Sequence, residues 1–145
     1  MKIPFCRPSI TWREKLAVLR TLNSGNIGQG DKVKEFEQAF AEYVGAPYAV
    51  AVSSGTAALF LSLQALGVTP NDKVIVPSLT FTASASVIVH SGATPVFCDI
   101  DKRTFCLDEA LVEYLGKKTG SRIYILVLLT GNKPEWSNKN SDRRV

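Results

Sequence analysis

The sequence predicts an α/β fold in which a mostly parallel sheet carries helices on both faces. Two observations support this prediction. Helical apolar patterns alternate along the chain with short segments rich in β-branched residues, and several of those segments are apolar at consecutive positions. Consecutive apolar positions are typical of parallel strands that are covered on both faces. The length of 145 residues and the hydrophobic content of 46% suit one globular domain.

The first strongly patterned helix is predicted over residues 31–44. Its apolar side chains recur on one face, at Val33, Phe36, Phe40 and Tyr43. Gly45 and Pro47 follow, and they end the helix because glycine suits the cap while proline cannot continue it. Residues 48–52 are nearly all apolar and predict a buried strand. Residues 56–66 contain few polar side chains and predict a deeply buried helix.

Five further elements are predicted from the same patterns and from the glycines and prolines between them. They are a strand at 74–76, a helix at 83–91, a strand at 94–98, a helix at 107–118 and a fourth buried strand at 123–129. From Asn132 onward the apolar pattern stops. An interior strand should lead into another helix, so the domain is predicted to be incomplete and residues 132–145 to form a disordered tail.

Charge and composition exclude several classes of protein. The net charge of +4 is not arranged as a basic stripe with aromatic residues, so we expect no nucleic-acid partner. The longest apolar run, 123–129, is far shorter than the ~20 residues that span a bilayer. The N-terminus shows no secretory signal, and a cytoplasmic protein is expected. Cys6, Cys98 and Cys106 lack metal-ligand spacing, so no metal site is expected and the thiols are predicted to be free.

The strongest chemical signal lies at Ser54, Gly55, Thr56 and Ala57, between the predicted strand 48–52 and the helix after it. Glycine lets a ligand approach the backbone closely, and the N–H groups of a first helical turn have no partner within the helix. With the helix dipole, these donors form an anion site, for which a phosphate is the natural ligand. The alternative is an ordinary N-cap, since serine is common at that position in any protein.

Phe81 follows the predicted strand 74–76 at its carboxyl end. Ligands of open α/β sheets bind beyond the carboxyl ends of the strands, close to where the Ser54–Ala57 turn should also lie. An aromatic ring there could stack on a planar heteroaromatic cofactor. The alternative is an ordinary core phenylalanine. The glycines at 25–30 and 116–119 fit neither the dinucleotide fingerprint nor a P-loop.

Six blocks of sequence stand in a consistent order between about residue 3 and residue 131. They are SGNIGQG at 24–30, FEQAFA at 36–41, VSSGTAAL at 52–59, DKVIVP at 72–77, TFTA at 80–83 and GATPVFCDID at 92–101. Together they resemble the N-terminal portion of the pyridoxal-phosphate-dependent sugar aminotransferases of the DegT/StrS type. Asp99 and Asp101 match that pattern, but we interpret them as strand-end and turn residues, and His90 as a helix-capping or packing residue.

The resemblance implies the large domain of the aspartate-aminotransferase-type fold (fold type I) with pyridoxal 5′-phosphate as cofactor. It also implies a homodimer that moves an amino group, commonly from glutamate, to a nucleotide-linked keto-sugar in polysaccharide or amino-sugar biosynthesis. Carried over by position, Ser54, Gly55, Thr56 and Ala57 would hold the cofactor phosphate, chiefly through the N–H groups of Thr56 and Ala57. Phe81 would stack on the pyridine ring. Gly28 and Gln29 would lie at the sugar-nucleotide entrance, with no membrane partner.

The same resemblance divides the chain at two positions. Residues 1–30 would be an N-terminal helix and substrate-entrance loop, residues 31–131 part of the cofactor-binding large domain, and residues 132–145 an unrelated tail. The family's Schiff-base lysine and the aspartate that pairs with the pyridine nitrogen lie downstream of this region. No catalytic residue is therefore assigned, and the chain alone is expected to be inactive.

Two departures from the family pattern keep other interpretations open. Leu126-Val127-Leu128 stands where the family has Pro-Val-His, and a frameshift after about Gly131 would explain the tail. One alternative is a non-catalytic α/β fragment or pseudogene product with at most a weak phosphate site. Another is a fragment of a related sugar dehydratase in which histidine replaces the lysine.

Overall fold

The structure is a computed structural model and describes residues 7–134 and Trp136. The chain forms two compact units, Met1–Ala51 and Val52–Val145. No helix among the described residues is long and apolar enough to cross a membrane.

The first unit contains two helices, α1 (Trp12–Asn23) and α2 (Asp31–Val44). α1 begins with a capping box, in which the Glu14 carboxylate accepts the Thr11 hydroxyl at 2.6 Å and also the Thr11 N–H. The Thr11 side-chain hydrogen bond, more than any other contact, holds the pKa of Glu14 below its ordinary value. α2 has the bounds that its apolar pattern predicts, and Gly45 ends it with φ +69°.

The predicted strand at 48–52 is wrong. The described residues have no strand there, and the side chains of Tyr48 and Val50 are 86% and 78% exposed. The N–H of Ala51 donates to the Glu37 carboxylate at 2.8 Å instead of to a neighbouring strand. An apolar segment becomes a strand only where another strand supplies its hydrogen-bond partners, and this segment has none in the part of the chain described.

The second unit is built on a parallel three-stranded sheet. Its strands are β1 (Lys73–Pro77), β2 (Thr94–Cys98) and β3 (Ile123–Tyr124), in the order β2-β1-β3. Its helices are α3 (Gly55–Ala65), α4 (Ala83–His90) and α5 (Glu109–Thr119). Ile75 is paired with Val96 on one side and with Tyr124 on the other. The strands 74–76 and 94–98 and the helices 83–91 and 107–118 are therefore confirmed, with shifts of one or two residues at their ends.

Alternate residues of β1 face opposite sides of the sheet, and each side has its own core. The first cluster joins β1 to α3 and α4, and its buried members include Leu63, Val74, Val76, Val87 and Ile88. The second cluster consists of Ile75, Cys98, Leu107 and Trp136, with Val112 and Leu115 of α5 packed against it. Helices thus cover both faces of a parallel sheet, which confirms the predicted fold class.

Two predicted elements differ from expectation: the helix α3 is more exposed, and the strand β3 is shorter. Only Leu63 of α3 is buried, while Leu61 is 50% exposed, so the deep burial predicted for this helix is wrong. The predicted strand 123–129 pairs with β1 only at Ile123–Tyr124, and the Ile125 N–H adds one more hydrogen bond to the Ile75 carbonyl at 2.8 Å. The chain then turns through a short 3-10 segment, Leu129–Gly131.

The two described cysteines are small core residues, and their thiols are free, as predicted. Cys98 and Cys106 are buried and form no disulfide, and burial raises the pKa of the Cys98 thiol. Cys6 lies outside the described residues. Within the predicted tail, Pro134 and Trp136 are buried, while Glu135 and residues 137–145 lie outside the described part of the chain.

Replacing Gly92 with alanine is expected to destabilise the second unit by about 1–3 kcal/mol. Gly92 follows α4 with φ +82°, a conformation that alanine adopts only with strain, and its new Cβ would lie 3.1 Å from the Pro70 ring. The matched control is Gly67→Ala, because Gly67 follows α3 with φ +70° but has no heavy atom within 4 Å of an added Cβ. Urea unfolding followed by circular dichroism should show a larger loss of unfolding free energy for Gly92→Ala than for Gly67→Ala. Equal losses would mean that the contact with Pro70 adds nothing to the cost of the Gly92 substitution.

Candidate functional site

The first turn of α3 presents backbone donors at the start of the second unit. Ser54 is the N-cap in an extended conformation, and its hydroxyl oxygen accepts the Ala57 N–H at 3.1 Å. Its carbonyl accepts the Ala58 N–H at 3.0 Å. Among the described residues, the N–H groups of Gly55 and Thr56 have no protein acceptor. These two donors, with the positive end of the helix dipole, can bind an anion.

The start of α3 is open, and its first turn carries no negative side chain. A Cβ added to Gly55 would meet no heavy atom within 4 Å. The first turn of α3 carries no acidic side chain. Among the described residues the Ser54 hydroxyl accepts a hydrogen bond but donates none, so its proton can be donated to a ligand oxygen. The arrangement therefore suits a group with several acceptor oxygens, such as a phosphate.

Phe81 lies at the same edge of the sheet as these donors. α3 leads through a short turn into β1, and β1 leads through residues 78–82 into α4, so both helices run opposite to β1. Their N-termini therefore lie at the carboxyl end of β1, where α/β proteins bind ligands. The Phe81 side chain is 77% exposed, so the alternative of a core phenylalanine is wrong. The ring is available to stack on a planar ligand.

Polar side chains connect the ends of β1 and β2 at this edge. The Ser78 N–H donates to the Cys98 carbonyl at 2.8 Å, and the Ser78 hydroxyl lies 3.5 Å from the Asp99 carboxylate. Asp101 accepts the backbone N–H groups of Thr104 and Arg103, and these bonds hold its pKa below the ordinary value. Asp99 and Asp101 are thus strand-end and turn residues, as interpreted. Sequence analysis did not single out Ser78, although its place directly after a strand is a usable signal.

Three other residues were singled out in the sequence. His90 ends α4, where its exposed ring places Nδ1 3.0 Å from the Ser86 carbonyl oxygen, which fits the helix-capping role. Gly28 and Gln29 are exposed in the loop between α1 and α2, in the first unit. In the same loop a Cβ on Gly30 would come within 2.6 Å of the Asn26 side chain. The sugar-nucleotide role assigned to Gly28 and Gln29 stays a prediction.

Comparison with known proteins gives matches that cover most of this chain. A sequence model described as the DegT/DnrJ/EryC1/StrS aminotransferase family matches residues 8–135. The spore coat polysaccharide biosynthesis protein SpsC of Bacillus subtilis is 50% identical over 111 residues, which are 77% of this chain and 28% of SpsC. The GDP-perosamine synthase of Caulobacter vibrioides is 45% identical over 115 residues, or 79% of this chain and 31% of that protein.

Similarity extends to solved structures. The putative sugar aminotransferase Spr1654 of Streptococcus pneumoniae, in its PMP form, superposes with a TM-score of 0.87 and 44% identity. That alignment covers 95% of this chain and 34% of Spr1654. The chain therefore spans about a third of the length of the proteins that it matches.

Proposed function

The chain belongs to the DegT/DnrJ/EryC1/StrS aminotransferase family, whose cofactor is pyridoxal phosphate, and we propose that it forms part of the cofactor site of a sugar aminotransferase. The observation that carries this proposal is the pairing of two features at one edge of the sheet. N–H groups without an acceptor among the described residues begin α3, and the exposed ring of Phe81 lies two residues before the start of the neighbouring helix α4. A phosphate joined to a planar heterocycle has the chemistry that these two features select.

The residues at the start of α3 would bind the phosphate in distinct ways. The N–H groups of Gly55 and Thr56 would donate to its oxygens, and the Ser54 hydroxyl would add a third donor. The Ala57 N–H already donates to Ser54 at 3.1 Å, so Ala57 would fix the direction of that hydroxyl more than bind the phosphate itself. A phosphate dianion there would gain from the helix dipole without opposition from an acidic side chain.

The Phe81 ring would cover one face of the pyridine ring and exclude water from it. When bound, pyridoxal phosphate would supply an aldehyde carbon that carries the amino group between an amino acid and a keto compound, and a pyridine ring that withdraws electrons. The role of this chain would be to hold the phosphate and to orient the ring. We propose that the covalent lysine and the aspartate partner of the pyridine nitrogen come from outside these 145 residues, so that the chain alone binds without turnover.

The substrate class follows from the relatives and not from a pocket in this chain. The names of two relatives refer to spore coat polysaccharide biosynthesis and to GDP-perosamine. We propose a nucleotide-linked keto-sugar as the amino acceptor and glutamate as the donor, with Gly28 and Gln29 near the sugar-nucleotide entrance. The complete protein would be a homodimer; the exposed rings of Phe36, Phe40 and Tyr43 on α2 support a covering partner.

The proposal is tested by titrating the chain with pyridoxine 5′-phosphate. This probe keeps the ring and the phosphate but has no aldehyde, so it cannot react with surface lysines. We expect it to bind more tightly than pyridoxine, and Phe81→Ala to weaken it by about three- to tenfold, because aromatic pairs contribute roughly 0.5–1.5 kcal/mol. Phe81→Tyr is the matched control and should bind as the parent does. Equal affinity for pyridoxine would rule out the phosphate site, and an unchanged affinity of Phe81→Ala would rule out stacking.

A further inference from the structure

The second cluster contains one side chain from the polar segment that follows β3. Trp136 is 6% exposed and lies in this cluster with Ile75, Cys98 and Leu107, each of which is at most 2% exposed. Its ring contacts Tyr124 edge to face, with centroids 5.6 Å apart and planes at 66°. A tryptophan in such surroundings contributes a large apolar contact area to a small unit.

The chain leading to Trp136 is attached to the same unit. The Cys106 thiol lies 3.4 Å from the Asn132 carbonyl oxygen, so it can donate a hydrogen bond to that oxygen. Pro134 is buried as well. Asn132 and Trp136 therefore both contact residues on the α5 side of the sheet.

Nothing in the pattern of this segment predicts such a contact. Its residues are mostly polar, and the family match ends at residue 135, directly before the tryptophan. Yet β3 pairs over only two residues, so the sheet itself provides little to hold its third strand. Trp136 packs against Tyr124 of that strand and lies in one cluster with Ile75 of β1. Its ring therefore links β3 to β1 on the α5 side of the sheet.

We propose that the second cluster contains a binding position for an indole ring, which this chain fills with its own Trp136. The walls are Ile75 and Leu107, and the Tyr124 ring gives the position an aromatic edge. Beside it lies a cleft of about 430 Å³, which Trp136, Leu107 and Pro134 help to line. Removal of the indole side chain would leave an apolar cavity that opens to this cleft. A free indole molecule could then enter and restore the packing, as apolar ligands do in other emptied cores.

The first test locates the ring in solution. The chain has two tryptophans, and Trp12 is 68% exposed, so a Trp12→Phe background leaves Trp136 as the sole tryptophan. We expect blue-shifted emission and weak quenching by acrylamide. Emission like that of free tryptophan, with full quenching, would overturn the proposal even if the variants below failed to fold.

The second test removes the ring and replaces it. In the same background, Trp136→Gly is expected to lower Tm by about 10 °C or more, and millimolar indole should recover part of that loss. Trp136→Leu should lower Tm by less than Trp136→Gly, because the leucine side chain fills part of the cavity. The matched control is Trp12→Gly in the parent chain, which keeps Trp136; its Tm should change little and should not respond to indole. An unchanged Tm in Trp136→Gly, or an equal indole effect in both glycine variants, would contradict the proposal.

Discussion

Replacing Thr56 with glutamate is expected to weaken the binding of pyridoxine 5′-phosphate by at least about tenfold while the fold remains intact. Thr56 is the second residue of α3, and its N–H is one of the two donors without a protein acceptor. A carboxylate at this position would repel a phosphate dianion at short range. The same carboxylate suits the positive end of the helix dipole, so the helix itself should not be destabilised.

The matched control for this change is Thr56→Gln, which has the same shape without the charge. It should keep most of the parent affinity, and circular dichroism should give both variants the parent spectrum. Added salt should reduce the difference in affinity between the two variants, because salt screens the repulsion between exposed charges. If glutamate and glutamine weaken binding equally at low salt, electrostatic repulsion is not the cause and the phosphate does not bind at α3.

Replacing Ile88 with aspartate is expected to prevent the second unit from folding. Ile88 is fully buried in the first cluster, among Val74, Val76 and Val87. A carboxylate there would lie without a partner in an apolar core, at a cost above about 4 kcal/mol, which is most of the stability of a small domain. The expected result is loss of the cooperative unfolding transition and rapid proteolysis of residues 52–145.

The matched control is Val89→Asp, one residue along the same helix. The Val89 side chain is 59% exposed, so its replacement should change stability by less than about 0.5 kcal/mol. Because both variants add the same charge to α4, a difference between them reports burial and not helix propensity. Comparable destabilisation by the two changes would mean that α4 does not pack on the sheet as described.

The fold class and most of its elements could be predicted because they depend on local periodicity. The pattern at 31–44 and the αL glycine after it fix α2 without reference to the rest of the chain. The consecutive apolar residues of β1 predicted a strand covered on both sides, and Ile75 and Val76 do face opposite clusters. The family resemblance is confirmed by the match over residues 8–135.

The candidate site could be predicted only in part. The N-cap at Ser54 could be predicted because it is a local feature: an N-cap side chain accepts a hydrogen bond from a backbone N–H only a few positions along the chain. In the structure the Ser54 hydroxyl accepts the Ala57 N–H, as expected of an N-cap. The hydrogen bond that makes the cap uses the Ala57 N–H, and the role of Ala57 toward a phosphate stays a prediction. The exposure of Phe81 could not be read from the residue type, because a phenylalanine after a strand is compatible with core and with surface alike.

The sequence by itself determined which segments are helical, where glycine ends them, and which segments of the second unit can enter a parallel sheet. These properties depend on side chains a few positions apart. Only the tertiary structure decided which apolar segments find strand partners. Residues 48–52 have none within the described part of the chain, and residues 123–129 pair over two positions with one more hydrogen bond. It also decided that Trp136 is buried. The reason is that strand pairing and core closure depend on residues far apart in the chain, which no local pattern encodes.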